Sequence, residues 1–565
     1  MPARPLRHRL RTWVRSSDPN DAFDDADSRR EPGAGDRGPS ADEPVPAGVR
    51  LRADSGTRLL ADGSVLVGGS PVRVLRLTPA GGRQVADWLA GSPVPAGLAA
   101  RKLARRLLDA GLAHPNLKAQ VGGTDPADSG TPNVRPGHGD VTVVVPVRDR
   151  HAELARCLAG LRTKPKITAR GGRVTDAPDS ARGDLCGLSV IVVDDASADP
   201  AAIAAIAAKY GADVVHRPVN GGPGAARNTG LAAASTDLVA FLDSDCVPRP
   251  GWLDRMLPHF ADPAVGAVAP RIVPHEAGTG WLARYEGASS TLDMGARPSI
   301  VRPGARVPYV PGAALVVRKT AAVPGFIEGM FVGEDVDFIW RMSASGWRVR
   351  YEPAATMGHD HRVTFRAWFS RRADYGTSAA ALEELHPGAV RPLYASWWTV
   401  GAWAAALSGR PVTAAALTAA ATALLARRLS RVTGERWPIP ASRSSPADNS
   451  KKCTAVAWAL ALRLAGGGTL AAGRPLGSTM SRTWWPLAIP AAIAFPGLRR
   501  PVAALILAPP LLDWADRRPP LDPFRYVAAR LLDDAAYSLG VWHGCLRRRT
   551  IRPLLPVLGN RRPPG

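Results

Sequence analysis

VAFLDSDCVPRP, residues Val239–Pro250, carries the pattern that decides the fold. Four apolar residues, Val239–Leu242, run straight into Asp243-Ser244-Asp245. Cys246 follows, then Pro248 and Pro250, which predict an end to regular structure. A short apolar run bounded by turn formers reads as a buried strand. Two more such runs lie upstream. VTVVVPV (Val141–Val147) is nearly all β-branched, and LSVIVVDD ends in Asp194 and Asp195. AAIAAIAAKYGA and GAARNTGLAAAS, between the second and third runs, have helical character. The alternation predicts a doubly wound α/β domain with a mostly parallel sheet over residues 140–388. Such sheets receive ligands beyond the carboxyl ends of their strands.

Each of the three strands ends in acid. Asp149 follows the first, Asp194 and Asp195 close the second, and Asp243 and Asp245 follow the third. One strand-end aspartate is commonly a turn or helix-cap residue. Three sets at one sheet edge repel one another unless cations or donors offset them. A divalent metal holding a phosphorylated ligand does so, and the hard cations Mg²⁺ and Mn²⁺ prefer oxygen ligands. NGGPGAARNTG (Asn220–Gly230) brings glycines and a helix start, near Pro223 or Gly224, to the same edge. Arg227 lies in the first turns of that helix, placed to pair with phosphate or to fix an aspartate. The run is neither a P-loop nor the dinucleotide-binding G-x-G-x-x-G.

In this order VVVPVRDR, VIVVDDAS, NGGPGAARNTG and FLDSD resemble the nucleotide-sugar-dependent glycosyltransferases of family 2, which have the GT-A fold. YVPGAALVVRK and GEDVDFIWRMSASGW are similar to that family's acceptor half. The resemblance implies that Asp149 and Asp194 contact the nucleoside, with Asp195 supporting them. Asp243 would bind ribose or metal, and Asp245 would be the main metal ligand on the diphosphate. Pro146, Gly222, Arg227 and Asn228 complete the implied donor site. Gly312 and Trp340 belong to the implied acceptor side. Asp335, with Glu334 beside it, matches the catalytic base of an inverting displacement, although an acidic pair also suits a helix start. His359 stands where the family often completes its metal site, with His361 the alternative. Arg148 and Arg150 depart from the Tyr, Asn or Glu more typical there. The QxxRW motif of processive synthases is missing, which argues against a translocating polymerase.

The flanks read differently. Residues 1–47 are polar and charged, which predicts a disordered basic arm. Residues 48–116 hold short extended runs and two helices, the first beginning at Thr78-Pro79. They resemble a PqqD-like, winged-helix peptide-recognition module, and a DNA-binding winged helix is the competing reading. Residues 117–139 read as a linker, and Thr163–Gly187 as a surface insertion. Beyond 389 apolar Ala-rich segments recur at 395–408, 411–426, 453–472, 485–498 and 501–512, each interrupted by Gly, Pro or Arg so that its unbroken apolar run falls short of the ~20 residues that cross a bilayer simply. Trp397-Trp398 and Trp484-Trp485 sit at segment starts and arginine pairs flank them, as at a membrane surface. A soluble helical domain is the alternative.

The formal charge of +23 suits nucleic acid, anionic lipid or phosphorylated substrates. The acidic sheet edge argues against nucleic acid, so a DNA-binding regulator is the weaker reading. Five cysteines at wide spacings, with no CxxC, argue against a disulfide framework or a structural zinc site. The basic N-terminus lacks a signal peptide's apolar run. Both observations predict a cytoplasmic catalytic part, and the apolar tail predicts that it sits at the inner face of the membrane. The module order resembles the mycofactocin-system branch of family 2. That resemblance implies UDP-glucose as donor, a peptide-derived redox-cofactor precursor as acceptor, and β-1,4-linked glucose as product. A rhamnosyl or galactofuranosyl transferase acting on a cell-wall lipid intermediate is the alternative within the family.

Overall fold

A computed structural model describes residues 38–40, 42–60, 63–117, 136–162, 166–168, 174–176, 188–276, 278–361, 364–434 and 446–559. Most of the expected arm (1–37) and linker (118–135) lies outside the described residues.

The front module holds β1 (Leu51–Ala53), β2 (Arg58–Leu60), β3 (Val65–Gly68), β4 (Arg73–Arg76) and β5 (Ala113–Pro115). β2, β3 and β4 form an antiparallel meander, and β1 pairs with β5. The helix Pro79–Leu89 begins as Thr78-Pro79 predicts, with Gly81 N donating to Thr78 Oγ1 at 3.1 Å. Val85 and Trp88 on its inner face pack with Leu107 and Leu108 of the helix Leu98–Asp109. The expected arm ends earlier than its composition suggests. Val45 is fully buried in this module's core, and the Pro39 and Ser40 carbonyls accept from Arg348 at 3.3 and 3.0 Å. Partners hundreds of residues away satisfy this segment, and local composition carries no trace of them.

Two bidentate arginines fix the module on the central α/β domain. Arg105 reaches Asp262 at 2.8 and 2.7 Å, and Arg306 reaches Asp54 at 2.8 and 3.0 Å. Elsewhere on the module, Val65 and Val67 of β3 pack with Leu460 of the C-terminal region.

The central domain is built on one sheet. Its strands are β6 (Val141–Val147), β9 (Ser189–Asp195), β10 (Asp213–Arg217), β11 (Leu238–Leu242), β12 (Cys246–Pro248), β13 (Val265–Pro274), β14 (Ser299–Val301), β15 (Ala314–Arg318) and β16 (Arg348–His359). The hairpin β7 (Lys166–Thr168) and β8 (Val174–Asp176) lies apart, in the expected insertion. The order is β10-β9-β6-β11-β15-β13-β16-β12, with β14 beside β16. β10, β9, β6 and β11 are mutually parallel, so their acidic ends share one edge. The expectation of a mostly parallel sheet fails beyond β11. β15 runs antiparallel to β11 and to β13, and β12 and β14 run antiparallel to β16. Apolar runs report burial on both faces, not strand direction.

β6 and β11 are buried on both faces, as their β-branched and aromatic residues demand. One core holds Leu154, Leu158 and Leu161 of the helix His151–Arg162. The other holds Ala226, Phe326, Phe338 and Ile339. Contrary to the expectation from sequence, Pro248 does not end regular structure. Cys246–Pro248 is an edge strand, where a missing backbone donor is tolerated.

The C-terminal apolar segments are longer than their interruptions imply. Helical structure runs from Pro446 to Ala494, broken only by a turn at Ala472, with π-helical turns at Leu462–Gly466 and Met480–Trp484. Among the described residues, Pro411–Ser430 and Thr454–Ala494 are long and apolar enough to cross a membrane, and most of each is unburied.

Candidate active site

The site begins where β6 gives way to Arg148-Asp149-Arg150. Asp149 adopts a left-handed φ of 56°. Ala198 N donates to its carboxylate at 2.7 Å, while its own N–H reaches Ser197 Oγ at 3.0 Å. The turn is thus pinned to the β9 turn, and Arg150 projects onto Asp245, to which it donates.

β9 supplies two aspartates with different tasks. Asp194 accepts from Ser197 N and meets His216 Nδ1 at 2.9 Å. Asp195 takes Gly221 N at 3.0 Å, Gly222 N at 2.8 Å and Arg217 Nε at 2.9 Å. Asp195 therefore holds the glycine turn in place. Gly222 has φ 80°, and a Cβ there would meet the Phe331 ring at 2.8 Å.

The helix Gly222–Ala233 carries Arg227 inward. Its guanidinium donates to Asp243 Oδ1 and Glu334 Oε1, each at 2.8 Å, and lies over the Phe326 ring. Burial alone would lower the Arg227 pKa, but Asp243, Glu334 and Asp335 outweigh it and raise it. Arg227 therefore fixes an aspartate, one of the two roles expected of it. Asn228 does not line the cleft. Its amide donates to Phe326 O at 2.9 Å and Glu328 Oε1 at 3.0 Å, tying down that loop.

Asp245 lies beside His359 because β12 pairs with the end of β16, Cys246 opposite His359. Asp245 Oδ1 is buried without a hydrogen bond and sits 3.5 Å from His359 Nε2. Burial favours the protonated acid, but His359 and Arg150 prevail and hold its pKa below the usual carboxylate range. Ligand atoms of Asp245, Cys246 and His359 lie within 4.8 Å of one another. Burial pushes the Cys246 thiol well above its ordinary pKa, and a neutral thiol is a poor ligand for a hard cation. The open Asp245 oxygen and His359 fit a divalent metal. His361 turns instead towards Glu286, at 3.8 Å. Burial and the neighbouring His359 push it down to about 4.

The helix Glu334–Ala344 starts at Gly333, whose φ is 87°. Asp335 accepts Gly312 N and Val336 N, both at 2.8 Å, which fixes its carboxylate at the cleft. A Cβ on Gly312 would crowd Arg227 and Asp335 at 3.1 Å. Glu334, beside Asp335, also lines the cleft but is largely buried. Trp340 is largely buried and donates to Pro308 O at 2.8 Å, so it braces the wall of the cleft.

These groups face one cleft of about 870 Å³. Its lining takes in Asp195, Gly222, Arg227, Asp243, Asp245 and Asp335, and does not include Asp149, Asp194, Asn228 or Gly312. Sequence reasoning missed the opposite wall. Tyr309, Arg371 and Tyr375 join Arg482 and Tyr537 of the C-terminal region. Arg371 stacks over Tyr375 and Arg482 over Tyr537. Burial pushes the Tyr309 hydroxyl up to about 12. Tyr309 opens the YVPGAALVVRK motif, whereas Arg371, Tyr375, Arg482 and Tyr537 belong to no motif and reach the cleft through folding alone.

Comparison with known proteins settles the family. The Glycosyl transferase family 2 model matches residues 142–322, and the Glycosyl transferase family group 2 model matches 238–495. Pre-mycofactocin glycosyltransferase of Mycobacterium tuberculosis is 39% identical over 524 residues, covering 91% of this chain and 98% of that one. The chain is a family 2 glycosyltransferase. The O-antigen chain rhamnosyltransferase WbaN of Salmonella anatum is 28% identical to this glycosyltransferase, over 33% of the chain and 61% of that relative. Among solved structures, the mannosyltransferase PcManGT from Pyrobaculum calidifontis in complex with GDP-Man and Mn²⁺ is 22% identical, with a TM-score of 0.33, over 60% of this glycosyltransferase and 90% of that chain. The mixed α/β sheet of this glycosyltransferase is a GT-A fold.

Proposed function

We propose that the protein transfers glucose from UDP-glucose to the peptide-derived precursor of mycofactocin, inverting the anomeric carbon and building a β-1,4-linked oligomer. One observation carries this reading. A single cleft gathers Asp195, Asp243, Asp245 and Asp335 from separate elements, in a chain whose likeness to a pre-mycofactocin glycosyltransferase extends far beyond the catalytic middle.

In this reading Asp335 takes the proton from the acceptor hydroxyl as that oxygen attacks the anomeric carbon. Its two backbone hydrogen bonds hold it for that task. Glu334, tied to Arg227, is a positioning residue. Arg227 orients Asp243 towards the donor, and Asp195 shapes the glycine turn beside it. Asp245 and His359 would hold Mg²⁺ or Mn²⁺, which would stabilise the departing nucleoside diphosphate. Helix Phe365–Leu385, with Arg482 and Tyr537, closes the acceptor side against water.

The same reading sets the tail against the cytoplasmic face of the membrane. Exposed Trp458, Leu470, Ile493 and Phe495 support it. The front module is assigned to recognition of the peptide-derived acceptor. Mass spectrometry of cofactor extracts from a deletion strain tests the reading. Loss of hexose ladders is expected. Unchanged ladders with altered glycolipids would overturn it in favour of a transferase for lipid intermediates.

A further inference from the structure

Arg150 is the feature that the family pattern does not account for. The turn carrying it is held at both ends of Asp149, so its direction is set by the fold. It donates to Asp245, the residue that should hold the metal. The second Asp245 oxygen stays buried and unpaired beside His359. Arg148, which also lines the cleft, among the described residues pairs only with its own neighbour Asp149, at 3.6 Å. Two guanidiniums thus stand at the mouth of a metal site, where their charge opposes entry of a divalent cation. A diphosphate reverses the balance, because the guanidinium fork matches phosphate oxygens and can leave the carboxylate for them.

We propose that Arg150 is a built-in placeholder cation. It neutralises Asp245 while the donor site lacks a diphosphate, and releases Asp245 to the metal when a nucleoside diphosphate engages the guanidinium. Metal and nucleoside diphosphate then strengthen each other's binding, each by the same factor. Arg150 is a positioning residue for the donor, and free metal alone is held weakly. This inference rests on the metal–diphosphate reading of the cleft.

The test titrates purified full-length protein with Mn²⁺ alone, following free Mn²⁺ by electron paramagnetic resonance, and separately with UDP alone by calorimetry. Arg150→Gln removes the competing charge. It should bind Mn²⁺ at least ten-fold more tightly than wild type and metal-free UDP about ten-fold more weakly. Arg150→Lys keeps the charge and loses the fork, so its Mn²⁺ affinity should stay at the wild-type value while UDP binding weakens. An Arg150→Gln protein that binds Mn²⁺ no more tightly than wild type overturns the placeholder, whatever its UDP affinity. If wild type takes up no Mn²⁺ even with UDP present, the metal reading itself is wrong and the placeholder falls with it.

Discussion

Asp335 and Glu334 are adjacent carboxylates with opposite surroundings. Asp335 faces the cleft on two backbone hydrogen bonds, so Asp335→Asn should keep the fold and lower kcat by about 10²–10⁴-fold. Turnover of UDP-glucose checks this, and retained activity would move the base elsewhere. Glu334 is buried, and burial followed by the Asp335 charge pushes it up to about 7 against the pull of Arg227. Between its ordinary 4.5 and about 7 the native state holds a proton that the unfolded state has lost. Stability therefore falls as pH rises through that window and levels off above it. Glu334→Gln lacks that slope, so it should gain up to about 3 kcal/mol relative to wild type between pH 4.5 and 7. Urea melts across this range measure it, and parallel curves for the two proteins would refute the assignment.

The element that most needs its neighbour is the helix Phe365–Leu385, which crosses the helix Pro523–Arg547 at glycines. A Cβ on Gly540 would lie 1.9 Å from Ala373 O, and one on Gly376 would lie 2.1 Å from Tyr537 O. This backbone-to-backbone approach sets Tyr537 into the wall of the cleft that Asp335 also lines. Gly540→Val should force the helices apart, cost about 1–3 kcal/mol, and lower acceptor transfer more than UDP binding. Thermal melting together with the two assays reads this out. Equal losses in both assays would show that the crossing supports the whole fold and not the acceptor wall. Helix Glu334–Ala344 is secured differently. Asp337, fully buried, joins Arg341 at 2.7 Å and His386 at 2.9 Å, which leaves Glu334 and Asp335 free for the site.

At the scale of the whole molecule, the front module is bolted to the catalytic domain by Arg105–Asp262 and Arg306–Asp54, while the long apolar helices of the tail keep bulky side chains exposed. The tail should hold the protein on membranes through a high-salt wash and release it in detergent, because lipid contact does not weaken as ions screen charge. Fractionation followed by immunoblotting decides between the outcomes, and release by salt alone would mean a peripheral, charge-held protein. Much of the site was legible in advance. Asp195, Arg227, Asp243, Asp245, Asp335 and His359 sit in ordered motifs at strand or helix ends, and they meet in one cleft. Asn228 was legible as a motif member only, since its amide is spent on a loop.

The sequence by itself determined the buried strands, their acidic ends and the order of the motifs, because periodicity and turn chemistry are local. Strand direction beyond β11, the burial of Val45 and the edge strand through Pro248 came only with the tertiary structure. So did the approach of Arg150 to Asp245 and the arrival of Arg482 and Tyr537 in the cleft that Asp335 lines. Each depends on contacts between distant segments, whose energies are settled by packing and charge pairing after the chain has folded, and no local pattern encodes them.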